Sequence, residues 1–272
     1  MSSGVIEVRD ILQAIIPHIK SCKDPFREQA IGNSLYGLRN MSSDVIEVRD
    51  TLQVLMPHIK SCKDPFHSQE IGNSLYGLRN MSSNVIEVRA ILQAIIPHIK
   101  LCKDPFREQA IGNSLYVLQN MSSDVIEVRD TLQVLMPHIK SCKDPFKSQE
   151  ISMSLYGLQN MSSDNIEVRD TLQALMPHIK SCNDTFKSQD ISNSLYGLKS
   201  MKSDVIEVRD TLQAIIPHIK SCKDPFKSRE IGNSLYGLRN MSSDFIEVRD
   251  TLQALIPHIK SCKDQFRSLY GL

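Results

Sequence analysis

The sequence predicts an all-α fold: an α-solenoid (α/α superhelix) of 40-residue two-helix repeats. Three observations predict it. The same text returns at a fixed period, with Ile6-Glu7-Val8-Arg9 recurring at Ile46, Ile86, Ile126, Ile166, Ile206 and Ile246. Within each copy, apolar residues recur at spacings of three and four in two runs divided by a turn-rich stretch. Neither run can cover its own apolar side, so consecutive copies must lean on one another. The 272 residues therefore divide into a single array of repeats 1–40, 41–80, 81–120, 121–160, 161–200 and 201–240, with a truncated repeat 241–272.

The second repeat shows each element in order. Asp44, with Glu47 three residues later, has the spacing of a capping box and predicts the start of a helix. Val45, Val48, Leu52, Leu55 and Ile59 then form one helical face, giving a helix A over about 45–62. Asp44, Glu47 and Asp50 crowd its start and Lys60 and Lys63 its end, which suits the macrodipole. Pro57 removes one backbone hydrogen bond and is expected to bend the helix on its solvent side, away from the apolar face. Lys63-Asp64-Pro65 is a turn, and Phe66 is expected to plug the gap between the helices. Ser68 is the expected cap of helix B, over about 69–80, with the apolar stripe Ile71, Leu75 and Leu78. Gly72, Ser74 and Gly77 weaken that helix and are expected to permit close approach of its neighbours. Asn80-Met81-Ser82-Ser83 turns the chain into the next helix A.

The copies are not identical. Ile11, Ala14, Ile15 and Ile16 become Thr51, Val54, Leu55 and Met56, and the third and fourth repeats echo the first and second. That alternation points to an earlier 80-residue duplication. Asn165 replaces a valine and Asn183-Asp184-Thr185 replaces Lys-Asp-Pro, so the fifth repeat is expected to be the loosest. Val117 replaces a helix-B glycine and is expected to push the adjacent helix outward. The last repeat lacks the six residues matching Ser228 to Asn233, which leaves an uncapped end that invites self-association.

Composition narrows the function. No apolar run approaches the about 18 residues of a membrane span, and no signal-like segment opens the chain, so no membrane role and no targeting segment are expected. The seven cysteines, Cys22 to Cys262, recur once per repeat. Equivalent atoms of stacked repeats lie about 8–10 Å apart, beyond disulfide reach. Free thiols are expected, in a reducing intracellular compartment, either cytoplasm or organelle. Lys and Arg number 32 against 31 Asp and Glu. The charge drifts toward the C-terminus: repeat 41–80 has four basic and five acidic residues, repeat 201–240 seven and five.

A catalytic site is a single asymmetric constellation, whereas here the Ser, His, Asp and Cys positions recur from repeat to repeat, His67 apart, and no phosphate-loop or zinc-protease pattern appears. No catalytic residue and no cofactor are expected. His18 and Cys22, with His58/Cys62, His98/Cys102 and onward, have the i, i+4 spacing of a metal pair. On the helical wheel they flank the core stripe, so a packed thiol and a hydrogen-bonded imidazole between repeats are expected, and no metal site. Opposite the apolar stripe, helix B carries a second stripe of Gln69, Asn73, Tyr76 and Asn80. Amides can pair with base edges and tyrosine rings stack on bases. The candidate ligand-binding residues are Asn33, Tyr36, Asn73, Tyr76, Asn113, Tyr116, Tyr156, Asn193, Tyr196, Asn233 and Tyr236. Lys220, Lys223, Lys227 and Arg239, with Lys60, Lys63, the basic position at Arg27, Lys147 and Lys187, and Arg39 and Arg79, are the candidate phosphate contacts. The competing reading packs the tyrosines between repeats and leaves the cations as solvated helix ends.

The helix-B text Phe66-x-x-Gln69-x-Ile71-x-Asn73-x-Leu75-Tyr76-Gly77-Leu78, repeated from Phe26, Phe106, Phe146, Phe186 and Phe226, resembles the core of octotricopeptide and heptatricopeptide repeats. Related repeats belong to the RAP-domain and FAST-kinase-like group. Tyrosine stands where that family has tryptophan, glycine where it has alanine, and Met153 in place of one asparagine. The resemblance implies an α-solenoid that binds single-stranded RNA and acts in organellar RNA stability, processing or translation. The alternative from the near-neutral charge is a protein–protein interaction scaffold holding a peptide or helix on its concave face.

Overall fold

The computed structural model describes residues 3–262. The shortened last helix B, and with it the C-terminal end named above for self-association, lies outside the described residues. Among the described residues the chain is all helical: α1 (Ser3–Ser21), α2 (Glu28–Gly37), α3 (Ile46–Ser61), α4 (Ser68–Tyr76), α5 (Ile86–Leu101), α6 (Glu108–Tyr116), α7 (Ile126–Ser141), α8 (Ser148–Gly157), α9 (Ile166–Ser181), α10 (Ser188–Tyr196), α11 (Ile206–Ser221), α12 (Ser228–Gly237) and α13 (Ile246–Ser261). A short 3-10 helix, Val117–Asn120, follows α6.

Odd-numbered helices are helix A of each repeat and even-numbered ones helix B. The closest backbone approaches join equivalent helices of successive repeats, α1 to α3 to α5 and α2 to α4 to α6, and so on along the chain. The result is two helical layers. Between the layers, each helix B approaches the helix A that follows it. The core runs continuously between them. In the second repeat it takes Val48, Leu52, Leu55 and Ile59 from α3, Phe66 from the loop, and Ile71, Leu75 and Leu78 from the α4 segment. Met81, in the turn, is buried as completely as any of them.

Several local expectations change. Helix A starts at Ile46, not at Asp44, and has no side-chain cap because its N-cap residue, the extended Val45 (φ −82°, ψ 125°), has no side-chain acceptor. Ser42 closes the turn instead: its hydroxyl accepts from the Asp44 N–H at 3.1 Å, and its carbonyl from the Val45 N–H at 3.2 Å. Glu47 does not reach back. It is buried and accepts a 2.9 Å hydrogen bond from Gln13 Nε2 of the preceding repeat. Ser68 is the first residue of α4 and provides no side-chain cap. In the fourth repeat the cap arrives from outside, since the Ser148 N–H and hydroxyl both donate to Asp184 Oδ2 of the next repeat, at 3.1 and 3.2 Å. Those donors pull the Asp184 carboxyl below its usual range, the backbone N–H having the largest effect.

Helix B is shorter than its periodicity suggests. After Tyr76 the chain tightens into i→i+3 bonds, Leu78 N–H to Leu75 O at 2.8 Å and Met81 N–H to Leu78 O at 2.9 Å. Pro57 is exposed, and α3 continues through it to Ser61. The fifth repeat is not looser. Position 165 is only half-buried, and the Asn165 amide donates to Ser123 Oγ at 3.0 Å, so the polar substitution gains a partner across the repeat boundary. Asp184 and Thr185 are likewise tied, the Thr185 N–H donating to Asp184 Oδ1 at 3.0 Å.

Candidate functional site

The recurring histidine joins successive repeats within the helix-A layer. Its Nε2 lies 2.9–3.1 Å from the carbonyl of the isoleucine one residue short of a repeat earlier: His58 to Ile19, His98 to Ile59, His138 to Ile99, His178 to Ile139, His218 to Ile179 and His258 to Ile219. A carbonyl only accepts, so Nε2 carries the hydrogen. That carbonyl belongs to the last turn of the preceding helix A, where backbone acceptors lack a full helical partner. The phenylalanine of the preceding repeat packs on the imidazole, Phe26 on His58 with ring centres 4.1 Å apart and Phe226 on His258 at 4.5 Å. Beside it the thiols of Cys62, Cys142, Cys182 and Cys222 are free and buried, and burial raises their pKa. Among the described residues no group of three or more His, Cys, Asp or Glu is placed to hold a metal ion.

The helix-B layer approaches more closely. A Cβ built on Gly77 would lie 2.2 Å from the Leu35 carbonyl oxygen, and on Gly157, Gly197 and Gly237 2.0–2.1 Å from the equivalent oxygens. Only glycine permits this contact, so its cost in helix propensity secures backbone-to-backbone packing. The tyrosines follow from it. Tyr36 stacks on Tyr76, and Tyr116, Tyr156, Tyr196 and Tyr236 stack in succession, with ring centres 5.7–6.0 Å apart. Equivalent atoms of a superhelix draw together toward its axis. Apart from the α4–α6 pair, successive B helices approach one another more closely than successive A helices do, down to backbone contact at the glycines, which puts helix B on the inner side. Within each run the facing ring surfaces are covered by tyrosine.

Cations lie over these rings. Arg39 is 4.3 Å from the centre of Tyr36, Arg79 4.9 Å from Tyr76, Lys199 4.5 Å from Tyr196 and Arg239 4.0 Å from Tyr236. Two of them reach back to the preceding repeat, Arg79 Nε to Arg39 O at 3.1 Å and Lys199 Nζ to Gln159 Oε1 at 3.0 Å. Burial lowers the Lys199 pKa and raises that of Tyr156. Asn80, Asn120, Asn160 and Asn240 also reach back, each amide donating to a carbonyl 41 residues earlier at 2.6–3.1 Å. Asn80 and Tyr76 therefore serve the stack, unlike Gln69 and Asn73 of the same stripe.

The remaining candidates separate by place. The side chains of Asn33, Asn73, Asn113, Asn193 and Asn233 make no hydrogen bond among the described residues; Asn33 is exposed and the rest half-buried. Tyr36 and Tyr236, at the ends of the ladders, are the exposed tyrosines. The position just before helix B is exposed in every described repeat and is basic at Arg27, Arg107, Lys147, Lys187 and Lys227. His67 occupies it in the second repeat and pairs with Asp104 at 2.6 Å, a hydrogen bond that raises the His67 pKa. Lys220 ends α11, in the other layer, and Lys223 lies in the loop; both are exposed. Lys227 and Arg239 alone bracket α12. The tyrosines pack between repeats, as the competing reading had it; sequence reasoning missed that they stack ring on ring, and it missed the Asn80 bonds. Their signal was there: one residue of one type per repeat, at one spacing, is what a self-stacking ladder requires.

No family model matches the chain, and no curated protein matches it.

Proposed function

We propose that the chain is a non-enzymatic helical-repeat RNA-binding protein that holds a single strand along its helix-B face, in organellar RNA stability, processing or translation. The observation that supports this reading is the row of unpartnered Asn33-type amides, one per repeat except at Met153, between an exposed cationic row and the tyrosines. Amides offer a donor and an acceptor together, the requirement for pairing with an unpaired base edge. Phosphates would meet Arg27, Arg107, Lys147, Lys187 and Lys227. The resemblance to octotricopeptide repeats points the same way.

The test is fluorescence anisotropy with labelled single-stranded RNA. Single-strand binding loses about 0.7 log units per phosphate contact per tenfold rise in salt. Five such contacts give roughly a hundredfold loss between about 50 and about 200 mM salt. Replacing Lys147 and Lys187 with Gln lowers the salt slope by ~1.4. A flat titration at low salt defeats the reading. Salt-insensitive capture of a protein by the same face would replace it with a scaffold role, which the near-neutral charge of +1 favours.

A further inference from the structure

The helix-B layer is interrupted once. At the position of Gly77 and Gly157 the third repeat has Val117, fully buried. By the same register Val117 meets the Leu75 carbonyl, where a Cβ has no room, and the layer yields. The approach of α4 to α6 is the sparsest between neighbouring B helices. A Cβ on Gly72 would meet nothing within 4 Å, whereas one on Gly32 or Gly112 would touch the next helix at 3.3 Å. Tyr76 and Tyr116 do not stack, so the ladder falls into the runs 36–76 and 116–236. The hydroxyls of Ser74 and Ser114, on these two helices, are buried without a partner, whereas Ser34, Ser154, Ser194 and Ser234 bond the carbonyl four residues back at 2.7 Å. The other layer is undisturbed: His98 keeps Ile59 O at 2.9 Å, and Phe66 keeps His98 at 4.2 Å. The opening is thus a wedge on the inner face alone.

A groove of about 780 Å³ lies there, lined by Gln69, Asn73, Tyr76, Arg107, Gln109 and Asn113 among others. Tyr36 and Arg79 approach Tyr76 from the first-repeat side, since Arg79 also bonds Arg39 O and Asn40 Oδ1. No ring stacks on the side of Tyr76 toward Tyr116, and Tyr76 lines the groove.

We propose that the groove opened by Val117 is a site for one unstacked nucleobase, laid on the unstacked face of Tyr76, its edge read by Asn73 and Asn113 and its phosphate met by Arg107. This rests on the RNA reading above and names the one interior break of the ladder, where no tyrosine stacks on its neighbour. A base fits better than an aromatic side chain because Gln69, Asn73, Gln109 and Asn113 have no partner among the described residues. A base edge offers in-plane donors and acceptors to all of them, and a phenyl ring offers none.

The test uses the full chain and 2-aminopurine riboside, whose fluorescence is quenched by stacking. Saturable quenching is expected, displaced by adenosine monophosphate. In Val117→Gly the ladder closes over Tyr76, and in Tyr76→Leu the ring is gone; each weakens the riboside by roughly fivefold or more, as loss of a base–aromatic stack does. Binding of a labelled oligoadenylate, read by anisotropy, changes far less in Val117→Gly, because the cationic row is untouched. Equal quenching in wild type and both variants overturns the site, as does no saturable quenching in wild type. So does displacement by N-acetyltyrosinamide but not by adenosine monophosphate, which would assign the groove to a protein side chain. Salt-dependent oligoadenylate binding without riboside quenching removes the site and leaves the RNA reading. Riboside quenching with a flat oligoadenylate titration does the reverse.

Discussion

His138→Ala tests the joint between repeats. His138 Nε2 is 3.0 Å from Ile99 O, and its ring centre is 4.2 Å from that of Phe106. The variant removes one hydrogen bond, worth about 0.5–1.5 kcal/mol, and one aromatic pair, worth about 0.5–1.5 kcal/mol. The expected loss is therefore about 1–3 kcal/mol at an interior interface. In a repeat array, where stability is a sum of repeat and nearest-neighbour contributions, that loss falls on one junction. The assay is urea unfolding followed by far-UV circular dichroism, with the midpoint read against the wild-type slope. His138→Phe keeps a stacking ring and drops the donor, so it isolates the hydrogen bond. The internal control is His18→Ala. His18 is exposed and makes neither contact among the described residues; its change stays within about 0.5 kcal/mol. Equal effects at His18 and His138 would refute the reasoning, since the loss would then owe nothing to the joint.

Gly197→Val puts a Cβ where the Leu155 carbonyl oxygen would lie 2.1 Å away. It is expected to destabilise by about 1–3 kcal/mol, as overpacking does, and to alter the near-ultraviolet dichroism of the Tyr156–Tyr196 pair; an unchanged spectrum and midpoint would show that the glycine contact is dispensable. Under native conditions a thiol reagent is expected to modify exposed Cys22 first, with Cys62, Cys142, Cys182 and Cys222 slowed by burial and by raised thiol pKa. His67 is expected to titrate above the ordinary imidazole value of about 6.5, because Asp104 hydrogen-bonds its charged form. Its contribution is full below that ordinary value and is lost as pH rises through the raised one; Asp104→Asn returns the proton NMR midpoint to normal, and a midpoint already normal in wild type would show that the pair does not form.

The period, the two apolar stripes and the plugging phenylalanine were legible because each is a local pattern repeated many times. Val48, Leu52, Leu55 and Ile59 are buried as their spacing requires. The helix starts were misread for a physical reason. Asp44 and Glu47 have a capping-box spacing, but Glu47 is buried and accepts from Gln13 of the preceding repeat at 2.9 Å instead of reaching back. At Ser148 a partner from the next repeat, Asp184, adds to the local bond from the Lys147 N–H to Glu150 Oε2. Bonds to residues 34 to 41 positions away leave no mark on a helical wheel. They show only as strict recurrence, which duplication also produces. Val117 was legible as a wedge because it departs from that recurrence. The groove it opens was not, since that required knowing that glycine meets a carbonyl there.

Departures of this kind bear on how a periodic face selects a ligand at all. A strand lying on identical repeats gains nothing by one register over another, because a slip of one repeat exchanges each contact for its copy. The Asn33-type row offers such copies at Asn73 and Asn113, and the cationic row at Lys147, Lys187 and Lys227. Register is fixed only where copies differ. Met153 withholds an amide in the fourth repeat, and Val117 uncovers the Tyr76 ring between the second and third. A base stacked on Tyr76 would, after a slip of one repeat, meet the closed Tyr116–Tyr156 pair. The slip then costs one stack, about 1–3 kcal/mol, while phosphate contacts are unchanged. Wild type is therefore expected to hold an RNA longer than its face in one register, read as a single crosslinking position from the Tyr76 region. Val117→Gly is expected to spread that crosslink over several nucleotides. A crosslink equally sharp in both chains would place register control elsewhere than in the wedge.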